Sequence, residues 1–173
     1  SSAASDVYKR QVFDSAGPQL IGVPDNLSLE CDEPIPSANV TAEDNCDEDM
    51  DIIFEETELG DDCEKTITRT WTVNDDCGNT STSIQTILIE DTTPPVLSDM
   101  PADLTVDCTE VPTIPNITAT DNCDDLVEVE FEEFAGDGCE FSMTRTWSAT
   151  DDCGNSTVHT QIISVEDNEL PVF

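Results

Sequence analysis

Four cysteines recur in the same order along this chain, and their spacing limits the available folds more than any other feature. Cys31 returns as Cys108 and Cys46 as Cys123, each 77 residues on, while Cys63 returns as Cys139 and Cys77 as Cys153, each 76 on. The words around them return too. Thr41-Ala42-Glu43-Asp44-Asn45-Cys46 answers Thr118-Ala119-Thr120-Asp121-Asn122-Cys123, and Thr68-Arg69-Thr70-Trp71 answers Thr144-Arg145-Thr146-Trp147. Asp75-Asp76-Cys77-Gly78-Asn79 answers Asp151-Asp152-Cys153-Gly154-Asn155. Asp91-Thr92-Thr93-Pro94-Pro95-Val96 is answered by Asp167-Asn168-Glu169-Leu170-Pro171-Val172 and echoed upstream by Asp14-Ser15-Ala16-Gly17-Pro18. Self-similarity at one period marks a module used more than once. The first repeat is placed at 12–93, the second at 94–170, and 171–173 begins a further copy, so the chain reads as a fragment of a longer one. Residues 1–11 (SSAASDVYKRQ) have no counterpart and hold two of the five positive charges, Lys9 and Arg10. They resemble a translated sequencing-adapter tag and are set aside as non-native.

Within each copy the hydropathy alternates with period two. Leu27-Ser28-Leu29 and Leu104-Thr105-Val106 alternate. From Thr66 to Val73 the threonines face one way and Ile67, Arg69, Trp71 and Val73 the other. Gln85, Ile87 and Ile89 share a face, as do Gln161, Ile163 and Val165. Thr, Ile, Val and Trp in this pattern form half-buried strands. Turn words bracket each run, and a unit of about six short strands fits a small sandwich. The expected fold is all-β: tandem immunoglobulin-like β-sandwich repeats joined end to end as a rod, with Pro94-Pro95 stiffening the joint.

Eight cysteines without a CxxC pair, and with His159 as the sole histidine, point to disulfides rather than zinc, hence to an oxidising, extracellular setting. Counting strand reversals places Cys31 and Cys63 at one pole of the module and Cys46 and Cys77 at the other. Cys63 and Cys77 bracket a strand about 25 Å long at about 3.3 Å per residue, beyond the roughly 7 Å Cα separation a bridge tolerates. The pairing expected from this count is Cys31–Cys63 and Cys46–Cys77, with Cys108–Cys139 and Cys123–Cys153 in the second copy.

The charge is extreme: 40 acids against five Lys and Arg, net −35. Nothing here could neutralise phosphates, so nucleic acid is excluded as a partner. No apolar run approaches the roughly 20 residues of a membrane helix. A chain this acidic repels itself unless cations compensate, and calcium takes six to eight hard oxygen ligands of the kind found here. The expected calcium ligands fall in clusters: Asp14, Asp44, Asn45, Asp47, Asp75 and Asp76; then Glu90, Asp91, Asp121, Asn122, Asp124, Asp151 and Asp152; then Glu166 and Asp167 for a following copy. The bland alternative is a set of solvated turn formers. Arg69 and Arg145, on the tryptophan face, read as structural cations satisfied by carboxylates. Carboxylate pairs are too common to signal acid–base work, and no nucleophile–base arrangement repeats, so no enzyme is expected. A Lys–Asn isopeptide clasp is rejected too, because Lys65 has no lysine counterpart.

The joint word Asp-Thr-Thr-Pro-Pro-Val, the Asp-Asn-Cys loop, Arg-Thr-Trp and Asp-Asp-Cys-Gly-Asn together resemble the hyalin-repeat and related immunoglobulin-like modules of Bacteroidetes-type bacterial surface proteins. The resemblance spans residues 14–173. It implies an extracellular, cell-surface sandwich without catalytic activity, used in adhesion or as a spacer; the strand parity, separately, has further copies meeting it head to tail. The joint word Glu-Asp-x-x-x-Pro-Val, from Glu90, is similar to the calcium-bearing linker of cadherins. Ser15 (Asp-Ser-Ala) and Thr92 (Asp-Thr-Thr) resemble O-glycan acceptors of such bacteria, and Asn26, Asn39, Asn79, Asn116 and Asn155 each begin an Asn-x-Ser/Thr triplet. The leading expectation is a repeat unit of an extracellular filament or adhesin stalk. The alternative is an adhesive module that binds glycan or protein through the segments Glu55–Asp62 and Glu130–Gly138, where the copies differ most. A calcium-buffering matrix protein is a third possibility.

Overall fold

The computed structural model describes residues 13–137 and 140–167. The tag-like segment, Cys139 and the start of the third copy lie outside the described residues. Among the described residues twelve strands run in chain order: β1 Gln19–Ile21, β2 Leu27–Glu30, β3 Thr41–Glu43, β4 Ile52–Gly60, β5 Glu64–Asn74, β6 Thr80–Glu90, β7 Val96–Leu97, β8 Leu104–Asp107, β9 Ala119–Thr120, β10 Val129–Ala135, β11 Phe141–Thr150 and β12 Ser156–Glu166. No helix occurs among the described residues, so none is long and apolar enough to cross a membrane.

The strands form two all-β units, each with a four-stranded sheet and a two-stranded ribbon. One has the sheet β2-β6-β5-β4 and the ribbon β1-β3; the other has the sheet β10-β11-β12-β8 and the ribbon β7-β9. β8 joins its sheet by running parallel to β12, while β10, β11 and β12 are antiparallel. By packing, the second unit also takes in Glu30–Glu33 and Asp61–Glu64, two turns that belong to the first sequence repeat.

Period-two alternation decides what is buried. On β5, Ile67, Trp71 and Val73 are buried; on β6, Gln85 and Ile87 are. On β11 and β12, Met143, Arg145, Trp147 and Ala149 are buried with Gln161, Ile163 and Val165. Trp147 packs with Leu97, Ile117 and Ala149, and its ring lies 5.3 Å from that of Phe131. Trp71 meets Phe54 at 5.5 Å in the same way. The buried glutamines hold the crossing chain: Gln85 Nε2 donates to the Asp25 carbonyl and Gln161 Nε2 to the Ala102 carbonyl, both at 2.8 Å.

The arginines take the structural role expected of them. Arg145 Nε donates to Glu133 Oε2 at 2.8 Å and its guanidinium also donates to the Pro112 carbonyl at 2.9 Å. Arg69 repeats this with Glu56 at 2.7 Å and the Pro36 carbonyl at 2.8 Å. Arg145 is buried, whereas its partner Glu133 keeps a third of its side chain in solvent. Arg145→Ala strands a carbonyl and empties space beside Trp147. The expected loss is about 2 kcal/mol of stability in the second unit, read by urea unfolding. Arg69→Ala, at a more exposed site, loses less.

The strand that the reversal count requires between Cys46 and Cys63 is present: Ile52–Gly60 pairs along its length with β5, and its counterpart Val129–Ala135 pairs with β11, so the segments where the copies differ most lie largely on edge strands. The cysteine pairing, by contrast, is corrected. Cys31 bonds Cys123 and Cys63 bonds Cys153, with Cα atoms 5.8 and 5.2 Å apart, instead of Cys31–Cys63 and Cys123–Cys153. Cys46 and Cys77, expected to pair, are unbridged and exposed, and so is Cys108, expected on Cys139. The strand count put Cys31 and Cys63 on neighbouring turns, but it sought partners only within one copy. Both turns pack in the second unit, and there each meets a cysteine loop of the second repeat.

Candidate functional site

The acidic loops fold by the same local rule in both repeats. In Asp-Asp-Cys-Gly-Asn, the first aspartate caps its own turn. Asp151 Oδ1 accepts the N–H groups of Cys153 (2.9 Å) and Asn155 (2.8 Å), as Asp75 Oδ1 accepts those of Cys77 (3.0 Å) and Asn79 (2.7 Å). Gly154 and Gly78 close these turns at φ 91° and 89°, a region that a side chain resists. In the Asp-Asn-Cys loop, Asp121 Oδ1 accepts Cys123 N–H (2.8 Å) and Asp124 N–H (3.1 Å), and Asp44 does the same for Cys46 (2.9 Å) and Asp47 (3.2 Å). Asp124 and Asp47 then reach across to the N–H of Asp152 and Asp76, at 3.3 and 3.0 Å, locking the two loops together.

In the second unit this arrangement leaves carboxylate oxygens aimed inward with nothing to bind. Asp91 and Asp151 are each more than nine-tenths buried, at 7% and 5% exposure. Oδ2 of Asp91, Asp121 and Asp151 is buried without a hydrogen-bond partner. Ligand atoms of Asp91 and Asp151 lie within 4.8 Å of each other, and those of Asp91 and Glu30 do likewise. Asn155 ties the set together by donating from Nδ2 to the Asp91 carbonyl at 3.1 Å. Burial, and then the charges of Asp151, Asp121 and Glu30, hold the Asp91 carboxyl above its ordinary range. Burial also pushes Asp151 upward, but the N–H groups of Asn155, Cys153 and Gly154 outweigh it and keep that carboxyl low.

The first unit carries the counterpart. Asp14, Asp44 and Cys46 bring ligand atoms within 4.8 Å, and Asp14 Oδ2 is buried and unpartnered. Here Asn79 Nδ2 donates to Asp75 Oδ2 at 2.6 Å and to the Ala16 carbonyl at 3.1 Å. The Asn79 bonds hold the Asp75 carboxyl low. The Cys46 thiol is raised, first by its hydrogen bond to Asp14, then by burial and the surrounding acids.

Of the residues expected to ligate, the structure thus gathers Asp14 with Asp44, and Asp91 with Asp121 and Asp151. Asp47 and Asp124 act as loop locks, and Asp76 and Asp152 present backbone N–H groups to them. Asn45 and Asn122 aim their amides at Cys46 and Cys123 sulfur, at 3.0 and 3.1 Å. Glu90 ends β6, and Glu166 and Asp167 end the described chain. Glu30 went unread: its carboxylate accepts Thr92 N–H at 3.1 Å and the Thr92 hydroxyl, and it flanks Asp91. Its signal was the equivalence with Asp107, an acid at the same place in the second copy. Of the expected glycan acceptors, Ser15 is exposed, whereas the Thr92 hydroxyl is engaged with Glu30. The Asn79 and Asn155 amides are spent on the acidic loops.

A family described as the HYR-like domain with 4 cysteines matches residues 21–89 and 96–165. The chain belongs to this family, in two tandem copies. A comparison with curated proteins yields no match. Among solved structures, Drosophila N-cadherin EC1-4 is similar at TM-score 0.35 and 11% identity, over 88% of this chain and 50% of that one. The chain thus spans half the length of that fragment. Human mucin-like protocadherin EC1-2 is similar at TM-score 0.34 and 10% identity, over 87% and 98%. The tandem immunoglobulin repeats of Dlar are similar at 0.32 and 12%, over 88% and 99%.

Proposed function

We propose that this HYR-like chain is a non-catalytic structural module of an extracellular, cell-surface filament or adhesin stalk, and that calcium bound by its acidic loops sets its rigidity. The observation that carries the reading is the set of buried, unpartnered Oδ2 atoms of Asp91, Asp121 and Asp151. A buried carboxylate oxygen without a partner is costly, and like charges packed together raise that cost. A cation removes both penalties. The donors are hard oxygens, and the nearby Cys123 and Cys153 sulfurs are already committed to bridges, so the set suits calcium rather than zinc or copper. Asp91, Asp121, Asp151 and Glu30 would hold the ion in the second unit, and Asp14 and Asp44 the one in the first. The bridges support an extracellular setting.

Isothermal titration of the metal-stripped chain with calcium tests this. Asp91→Asn keeps the shape of the side chain and removes its charge, and the expected result is loss of one ion from the stoichiometry. An unchanged stoichiometry would sink the second-unit site.

An adhesive module is the second reading. Its support is apolar side chains left in solvent on the two edge strands: Ile53, Phe54 and Leu59 on β4, and Phe131 and Phe134 on β10. Retention on immobilised glycans or matrix proteins, abolished by Phe134→Ser, would favour it over a spacer.

A further inference from the structure

Both halves of the Cys31–Cys123 bridge are built a second time and left unjoined. Cys46 occupies in the first repeat the place of Cys123 in the second, and its surroundings are the same. Its N–H donates to Asp44 Oδ1 at 2.9 Å, as that of Cys123 donates to Asp121 Oδ1 at 2.8 Å. The Asn45 amide donates to its sulfur at 3.0 Å, as the Asn122 amide does to Cys123 at 3.1 Å. Cys108 occupies the place of Cys31. The Cys31 turn is closed by Glu33 N–H on the Glu30 carbonyl at 3.1 Å, and the Cys108 turn by Glu110 N–H on the Asp107 carbonyl at 2.9 Å. Cys46 and Cys108 are both exposed and unbridged.

We propose that Cys108 of one copy bonds Cys46 of a second copy, repeating between chains the bond the structure shows within one. The partner is a second copy because the loop that captures the Cys31 turn is the Cys123 loop, and Cys46 sits in the equivalent loop of the first repeat. The link runs head to tail and leaves one Cys46 and one Cys108 open on the joined pair, so it propagates. Cys77, in the setting of bridged Cys153, stands ready at the same end as Cys46 to reinforce it. The two thiols lose two protons and two electrons to a disulfide-class oxidant. With oxidised glutathione, each new bond consumes one glutathione disulfide and releases two glutathione thiols. The inference rests on the tandem-module reading and is independent of the cation.

The test incubates the whole chain in a glutathione redox buffer, as an equal mixture of light and isotopically heavy protein. Non-reducing electrophoresis should show a ladder that collapses on reduction. Peptide mapping should find Cys46 joined to Cys108, with about half of those pairs light-to-heavy. The variant C46S/C77S should stay monomeric while its Cys31–Cys123 and Cys63–Cys153 peptides show that it folds, and adding it to wild type should shorten the ladder. A Cys46–Cys77 bridge within one chain, Cys108–Cys108 dimers of the variant, Cys46–Cys108 pairs that are never light-to-heavy, or no ladder would each overturn the proposal. Calcium titration of the same sample keeps the outcomes apart: ions taken up by a chain that forms no ladder would leave the module reading standing and remove the link alone.

Discussion

Calcium added to the metal-stripped chain, with both disulfides intact, should raise the melting temperature of the second unit by about 15 °C. The magnitude follows from mass action. An ion that binds only the folded state contributes about 3–4 kcal/mol when present at a hundred to a thousand times its dissociation constant. One kcal/mol moves the midpoint of a domain this small by about 4–8 °C. The gain should be larger in the second unit, where Asp91, Asp121 and Asp151 each leave an oxygen unmet, than in the first, where, among the described residues, the unpartnered carboxylate oxygen is that of Asp14. Magnesium should do less, since it demands a tight octahedron and gives up water reluctantly.

The sign with pH follows from the same residues. Asp91, its carboxyl held high by burial and like charge, takes a proton earlier on acidification in the folded chain than in the unfolded one. Without metal its cost is therefore present at neutral pH and relieved as pH falls through its raised range. Asp75 and Asp151, held low by N–H donors, act oppositely and withdraw their stabilisation only at lower pH. The metal-free chain should thus gain stability on mild acidification before losing it, and Asp91→Asn should erase the gain. Differential scanning calorimetry across pH, with calcium and with chelator, measures both effects. A midpoint that ignores millimolar calcium would end the cation account.

Much of this architecture was legible because alternation and repetition are local. Thr66 to Val73 announces a strand with Ile67, Trp71 and Val73 inward, and those side chains are buried. The acids that converge, Asp14 with Asp44 and Asp91 with Asp121 and Asp151, could be named because turn words put them at the same end of the module. What stayed hidden was non-local. Whether an aspartate in these loops serves a cation or a backbone N–H depends on one rotamer and its neighbour: Asp124 is spent on Asp152, while Asp121 keeps an oxygen unmet. Strands β4 and β10 follow from the reversal count between the cysteines more than from hydropathy, because edge strands with both faces wet carry little hydrophobic signal. The cysteine pairing was misread because strand parity describes one module and is blind to turns that pack into the next unit.

Replacing Cys31 and Cys123 together by serine should destabilise the second unit by about 4 kcal/mol, and so should replacing Cys63 with Cys153. Each bridge spans a long stretch of chain, with sequence separations of 92 and 90 residues. Closing a loop of that length removes roughly 4–5 kcal/mol of chain entropy from the unfolded state. A bridge within one copy, as the strand count suggested, would have closed a loop of only about 30 residues and removed less. Both changes strike one unit, because Glu30–Glu33 and Asp61–Glu64 pack with residues 89 onward. Their loss should also free the Glu30 turn, which holds Thr92 and stands beside Asp91, so calcium affinity at that cluster should fall with the Cys31 pair removed. Removing Cys46 and Cys77, unbridged within the chain, should leave the melting temperature of the monomer within about 2 °C of wild type. Calorimetry of the three double variants decides: equal, small effects from all of them would mean that the bonds between repeats carry no stability, and that the second unit stands without the turns it draws from the first repeat.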